Sequence, residues 1–266
     1  MRRGTGGRTR VNVASARRRP FVAGNWKMNK TVAEARAFVR ELRAIALPDG
    51  VEVALAPPFT ALEAVHDELR GSPIQLAAQE MNAADRGAFT GQISPLMLKE
   101  LGVNYVILGH SEARRYLGET DEAVGKKVQS ALAQGITPIV AVGEDEQLHA
   151  EGRAVEHCSR QLRIAFTGIA ADAVARCVVA YEPIWAIGTG LSEDPASANE
   201  RIAELRGSVD GLASARILYG GSMNATNAAS LMAQLEIDGG LIGGASLEAQ
   251  SFAAIAAAAS PAQAAR

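Results

Sequence analysis

"PFVAGNWKMNKTVAEARAFVRELRAIA", residues 20–46, holds one complete unit of the pattern that decides the fold. Pro20 to Asn25 is a short apolar run of the kind that packs as a buried strand. From Val32 the apolar residues recur at helical spacing, and Thr31 with Glu34 three residues on is the signature of a capping box. The stretch therefore predicts a strand over 20–25, a turn, and a helix over 31–46.

The unit recurs along the chain. β-like runs stand at 51–56 (VEVALA), 74–78 (IQLAA), 105–109 (YVILG), 136–142 (ITPIVAV), 176–181 (RCVVAY), 216–220 (RILYG) and 239–242 (GGLI). Helical spacing fills 59–70, 120–134, 150–166, 194–211, 225–234 and 246–258. Near-continuous apolar strands alternating with helices imply a parallel sheet. Eight such units predict an α/β fold closed into a (β/α)8 barrel (the TIM barrel), with an open doubly wound sheet as the alternative. No compositional break marks a linker, so 20–259 is expected to be one domain, flanked by an extension at 1–19 and a tail at 260–266.

Composition narrows the function classes. No run approaches the roughly 20 apolar residues of a membrane helix, so no membrane role is expected. Cys158 and Cys177 make neither a disulfide framework nor a metal-ligand spacing, which favours a reducing, cytoplasmic setting and no metal. Residues 1–19 carry seven Arg and no acid. They read as an organelle-targeting peptide, a nucleic-acid-binding arm, or an extension with no part in the fold. The acidic remainder argues against nucleic acid as a partner.

In either α/β architecture, chemistry gathers at the C-terminal ends of the strands. Polar residues there are Asn25, Lys27, Gln79, Glu80, His110, Glu112, Glu144, Glu182 and Ser222, with Gly243 and Gly244 after the last strand. Asn25 and Lys27, two apart in extended chain, would point to one side and suit an anionic ligand. His110 precedes Ser111, a good N-cap, and a helix mouth would keep its ring neutral. Glu182 closes a buried strand, so desolvation should raise its pKa toward that of a useful base. Pro183 stiffens its support, and "IWAIGTG" (184–190) has the make-up of a loop that closes over a site. "YGGS" (219–222) and "IGGAS" (242–246) place backbone N–H groups at the ends of the last two strands, where barrels commonly seat a phosphate. No Walker-type or G-x-G-x-x-G motif is present, so a nucleotide is not indicated. Together these point to proton abstraction next to a carbonyl on a small phosphorylated substrate.

"NWKMN" (25–29), "GHSE" (109–112), "AYEPIWAIGTG" (180–190), "YGGS" and "GGASL" (243–247) occur in this order, and with them the chain over 20–258 resembles the triosephosphate isomerases. The resemblance implies interconversion of dihydroxyacetone phosphate and glyceraldehyde 3-phosphate through an enediolate, in glycolysis and gluconeogenesis, without a cofactor. It implies Glu182 as the base, neutral His110 as the proton-moving electrophile, and Lys27 with Asn25 at the oxyanion. It places Glu112 beside Lys27, and Gly188, Ser222, Gly243 and Gly244 at the phosphate. It also implies a homodimer in which "GAFTG" (87–91) inserts beside the partner's site. Ala113 and Gln92 depart from the family, which usually has Arg and Glu there, paired across the interface. Glu80 replaces a usual Asn.

Overall fold

The computed structural model describes residues 18–189 and 192–260; most of the Arg-rich extension and nearly all of the C-terminal tail lie outside the described residues. Eight parallel strands close into a barrel in chain order. They are β1 (Phe21–Asn25), β2 (Glu52–Ala56), β3 (Gln75–Ala78), β4 (Tyr105–Leu108), β5 (Thr137–Glu144), β6 (Val178–Pro183), β7 (Arg216–Tyr219) and β8 (Gly239–Ile242). The ring closes where Phe21 to Gly24 of β1 pair with Gly239 to Ile242 of β8.

The helices among the described residues are α1 (Val32–Arg43), α2 (Phe59–Leu69), α3 (Pro95–Glu100), α4 (Ser111–Leu117), α5 (Asp121–Ala133), α6 (Glu146–Ala150), α7 (Ala154–Ala165), α8 (Ala171–Val174), α9 (Pro195–Arg206), α10 (Ala228–Met232) and α11 (Ala249–Ala258). The capping box of α1 forms as its sequence requires: Thr31 accepts from the Glu34 amide while Glu34 accepts from the Thr31 amide. Three differences from the sequence pattern stand out. The stretch 150–166 is broken by Gly152 in the left-handed region (φ 69°), giving α6 and α7. Short α3 interrupts what reads as loop. β5 and β6 run two residues further than their apolar runs, so Glu144 and Glu182 belong to strands rather than to the loops after them.

Strand parity divides the core in two. Phe21, Ala23, Ala54, Ala77, Ile107, Ile139, Ala141, Val178, Ala180 and Leu218 pack together inside the barrel. Their neighbours Val22, Val53, Leu55, Val106, Val140, Val142 and Val179 pack outward under the helices. Alanines dominate the inner layer because side chains from eight strands converge on one axis. The N-terminal end is plugged by Arg216, whose Nη1 lies 2.7 Å from Glu52 and whose guanidinium stacks 4.6 Å from the Phe21 ring centroid. Nearby, Asp238 takes both Arg206 (2.5 Å) and Arg18 (2.8 Å), so the end of the Arg-rich segment is fastened to the barrel. The opposite end is left for chemistry.

Candidate active site

Glu182 has the same parity as Val178 and Ala180 and so faces the barrel axis. It is 1% exposed. Gly143 is its register partner on β5; a β-carbon there would meet the Glu182 carbonyl oxygen at 2.0 Å, so only glycine lets the strands close beside the carboxylate. Glu182 Oε2 accepts the Ser111 amide at 2.9 Å. Oε1 lies 3.0 Å from His110 Nε2, and His110 is the group that faces it.

His110 enters from β4 through Gly109, whose φ of 75° turns the chain sharply into α4. The structure corrects the capping assignment: Ser111 is the first helical residue and His110 itself caps, its Nδ1 accepting the Glu112 amide at 3.2 Å. That bond leaves Nδ1 bare and aims Nε2 at the cavity.

Both pKa expectations are reversed, and for one reason. Burial pushes Glu182 up, but the His110 charge beside it and the Ser111 amide outweigh burial and hold it below the ordinary carboxylate range. Burial pushes His110 down, but Glu182 outweighs burial and holds it above the ordinary imidazole range. Each group is the other's main partner, which strand-by-strand reading treats separately. The Glu112 amide on Nδ1 opposes a second ring proton, so the rise on His110 depends on Glu182 facing Nε2.

Lys27 is also placed differently from its sequence reading. It does not continue β1 in extended form; its φ is 52°, in the left-handed region, and its amide donates to Asn25 Oδ1 at 3.1 Å. A turn, rather than strand parity, brings Asn25 and Lys27 to one side. Gln79 supports the turn, its Nε2 donating to the carbonyls of Lys27 and Ala56, both at 2.9 Å. Lys27 Nζ sits 2.7 Å from Glu112 Oε1, so Glu112 does lie beside the lysine.

Asn25, Lys27 and His110 line a cavity of about 270 Å³ at the C-terminal strand ends, together with Gly188, Ser222, Gly243 and Gly244 and with Ile187, Met223 and Leu241 as its apolar wall; Glu182 is not on the lining but sits buried against His110. The apolar members carry no chemical signature in sequence and could be found there only from their position next to glycine motifs. Ser222 Oγ donates to the Ala186 carbonyl at 2.8 Å, tying the turn after β7 to the segment after β6.

Two rim candidates do not join the site. Glu144 has the outward parity of Val140 and Val142; it is fully buried and accepts from Tyr181 Oη and Trp185 Nε1, each at 3.0 Å. Glu80 pairs with Lys127, which also takes Glu119. Glu144 holds the start of the 184–190 segment in place, and Glu80 belongs to the adjoining surface.

The family described as Triosephosphate isomerase matches residues 20–259. The chain belongs to the triosephosphate isomerase family. It is 50% identical over 256 residues to the triosephosphate isomerase of Symbiobacterium thermophilum, covering 93% of this chain and 99% of that protein. It is 48% identical over 244 residues to that of Thermoanaerobacter pseudethanolicus, covering 90% and 98%. With that of Roseiflexus castenholzii it shares 49% over 242 residues, covering 88% and 95%. As a member of the triosephosphate isomerase family the chain is an enzyme, an isomerase, and the cavity at its strand ends is where the family's motifs converge.

Proposed function

We propose that this chain interconverts dihydroxyacetone phosphate and glyceraldehyde 3-phosphate, with Glu182, His110 and Lys27 carrying the chemistry. The observation that carries the reading is Glu182 Oε1 set 3.0 Å from the Nε2 of His110, which lines the cavity with Asn25 and Lys27. Glu182, ionised because its pKa is held low, takes the proton from the carbon next to the carbonyl. The electrons move onto the carbonyl oxygen, giving an enediolate. His110 Nε2–H donates to one enediolate oxygen and recovers a proton from the other, and Lys27 Nζ stabilises the negative charge with Asn25. Glu182 returns its proton to the neighbouring carbon, so nothing is gained or lost overall. Backbone amides of Gly188, Ser222, Gly243 and Gly244 hold the phosphate, and Glu112 fixes Lys27.

A coupled assay tests these roles. Glu182→Asp and His110→Gln should each lower kcat by about 10²-fold or more. Variants that match wild type would remove both residues from the mechanism.

We further propose that residues 20–259 act as one domain within a homodimer working in the cytoplasm. A second cavity, about 350 Å³, adjoins the first and is lined by Met28, Phe59, Glu112, Ala113, Tyr116 and Leu117. Met28 is 95% exposed and Leu117 74%, an apolar rim that suits burial by another subunit. Phe89, half exposed on the protruding 87–91 loop, has the size and polarity to enter it from a second copy. Light scattering should report a dimer; a fully active monomer would contradict this arrangement. The two free, buried cysteines fit a reducing compartment.

A further inference from the structure

Lys27 and Lys30 are the two non-glycine residues with positive φ among the described residues, and Lys30 has the more typical left-handed value, 72°. A β-carbon is disfavoured in that region, where glycine would sit without strain. Lys30 makes contacts that glycine could not. Its Nζ lies 4.7 Å from the Phe38 ring centroid and 5.4 Å from that of Trp26, over both faces. The same ammonium donates to the Leu247 carbonyl at 2.8 Å.

Those three partners belong to different parts of the site. Trp26 is fully buried between Asn25 and Lys27 and packs edge-on against Phe38 of α1, with ring centroids 4.9 Å apart. Leu247 closes the single turn Gly244–Ser246, its amide donating to the Gly244 carbonyl at 3.1 Å. Lys27 and Gly243 face each other across the cavity: a β-carbon on Gly243 would lie 3.9 Å from Lys27 Nζ. The loop after β1 and the turn after β8 thus approach each other at Lys27 and Gly243, and Lys30 joins them from behind.

We propose that Lys30 is a positioning residue that sets the spacing between Lys27 and the Gly243–Gly244 amides, and with it the fit of a three-carbon phosphorylated substrate. The proposal rests on the reading of that turn as the phosphate seat. Removing the clamp should loosen the seat more than the proton transfer, because Lys27 keeps its own supports from Asn25, Gln79 and Glu112.

The test is steady-state kinetics with inorganic phosphate as competing ligand, on wild type, Lys30→Met, Lys30→Gly and Lys30→Arg. Lys30→Met should raise KM and the inhibition constant of phosphate together by about tenfold, with kcat within about twofold. Lys30→Gly should show the same loss while its Tm is at or above that of Lys30→Met, since its backbone is relaxed. Lys30→Arg, which can still donate to the Leu247 carbonyl, should stay within about twofold of wild type. Unchanged KM and phosphate inhibition in Lys30→Gly would overturn the clamp alone. Failure of phosphate to compete with substrate on wild type would overturn the phosphate seat, and the clamp with it.

Discussion

Glu182 and His110 form a buried pair in which each residue's charge is sustained by the other: 3.0 Å separates Oε1 from Nε2, and the two pKa values move apart, the acid down and the imidazole up. Glu182→Gln removes the carboxylate, so burial and the charge of Lys27 are left to act on the ring against Glu112 alone. The His110 pKa should then fall below its ordinary 6.5, read by NMR titration of the ring protons. Stability follows with a definite sign. The lowered Glu182 stabilises the fold above its ordinary 4.5 and loses that contribution as pH falls through its folded value. The raised His110 stabilises below 6.5 and loses that contribution as pH rises through its folded value. The advantage of wild type over Glu182→Gln in chemical denaturation should therefore peak between pH 4.5 and 6.5 and shrink on both sides. A pH-independent difference would show that the pair is not coupled.

Lys27 is held at its tip by Glu112 at 2.7 Å, with both side chains partly open to solvent. An exposed pair of this kind adds little to stability, on the order of 0–1 kcal/mol. Its effect should appear in catalysis, through the placement of the ammonium. Glu112→Gln should leave Tm within about 2 °C of wild type and lower kcat/KM by about tenfold. A drop in Tm without loss of activity would make Glu112 a structural residue.

Much of this site was legible in the sequence, and the errors have physical causes. The βα alternation predicts the barrel because strands buried on both faces and one-sided helices leave few other arrangements. Glu182 could be located from its strand and its proline alone. Glu144 looked equivalent at the end of the strand before it. Counting by two from the small inner residues separates them: Ala180 puts Glu182 inward, whereas Ala141 puts Glu144 outward. The left-handed turn at Lys27 was hidden, since nothing in "NWKMN" requires a lysine to leave extended geometry. The signs of the Glu182 and His110 shifts were hidden too, because they arise from a contact between residues 72 positions apart in the chain.

Trp185 donates its indole N–H to Glu144 at 3.0 Å, and the His149 ring lies 4.4 Å from its own. Glu144 is fully buried, and burial pushes its pKa up despite the donors from Trp185 and Tyr181. Trp185→Phe keeps most of the packing but leaves that carboxylate one donor short, at a cost of about 1–3 kcal/mol. Thermal unfolding should fall by several degrees, about 2–4 °C per kcal/mol for a chain of this size. The same variant frees the start of the 184–190 segment, so KM should rise more than kcat changes. Equal Tm values would show that the indole bond contributes nothing.

Met28 stands next to Lys27 and is almost wholly exposed, as are large parts of Tyr116 and Leu117 across the second cavity. A monomer would carry this apolar rim in water beside Lys27. Ala113 adds no charge to this rim, and Gln92 accepts from Asn82 within its own loop. In the proposed dimer apolar contact should then carry association, with little dependence on salt. Met28→Asp sets an unpaired carboxylate on that rim, where burial against a second copy would desolvate it. The variant should run as a monomer in light scattering. It should also lose kcat/KM by about tenfold or more, because the turn holding Lys27 loses its cover. Association of wild type that weakened strongly with added salt would point to charge in place of apolar contact. A Met28→Asp variant that remained dimeric would move the interface elsewhere on the surface.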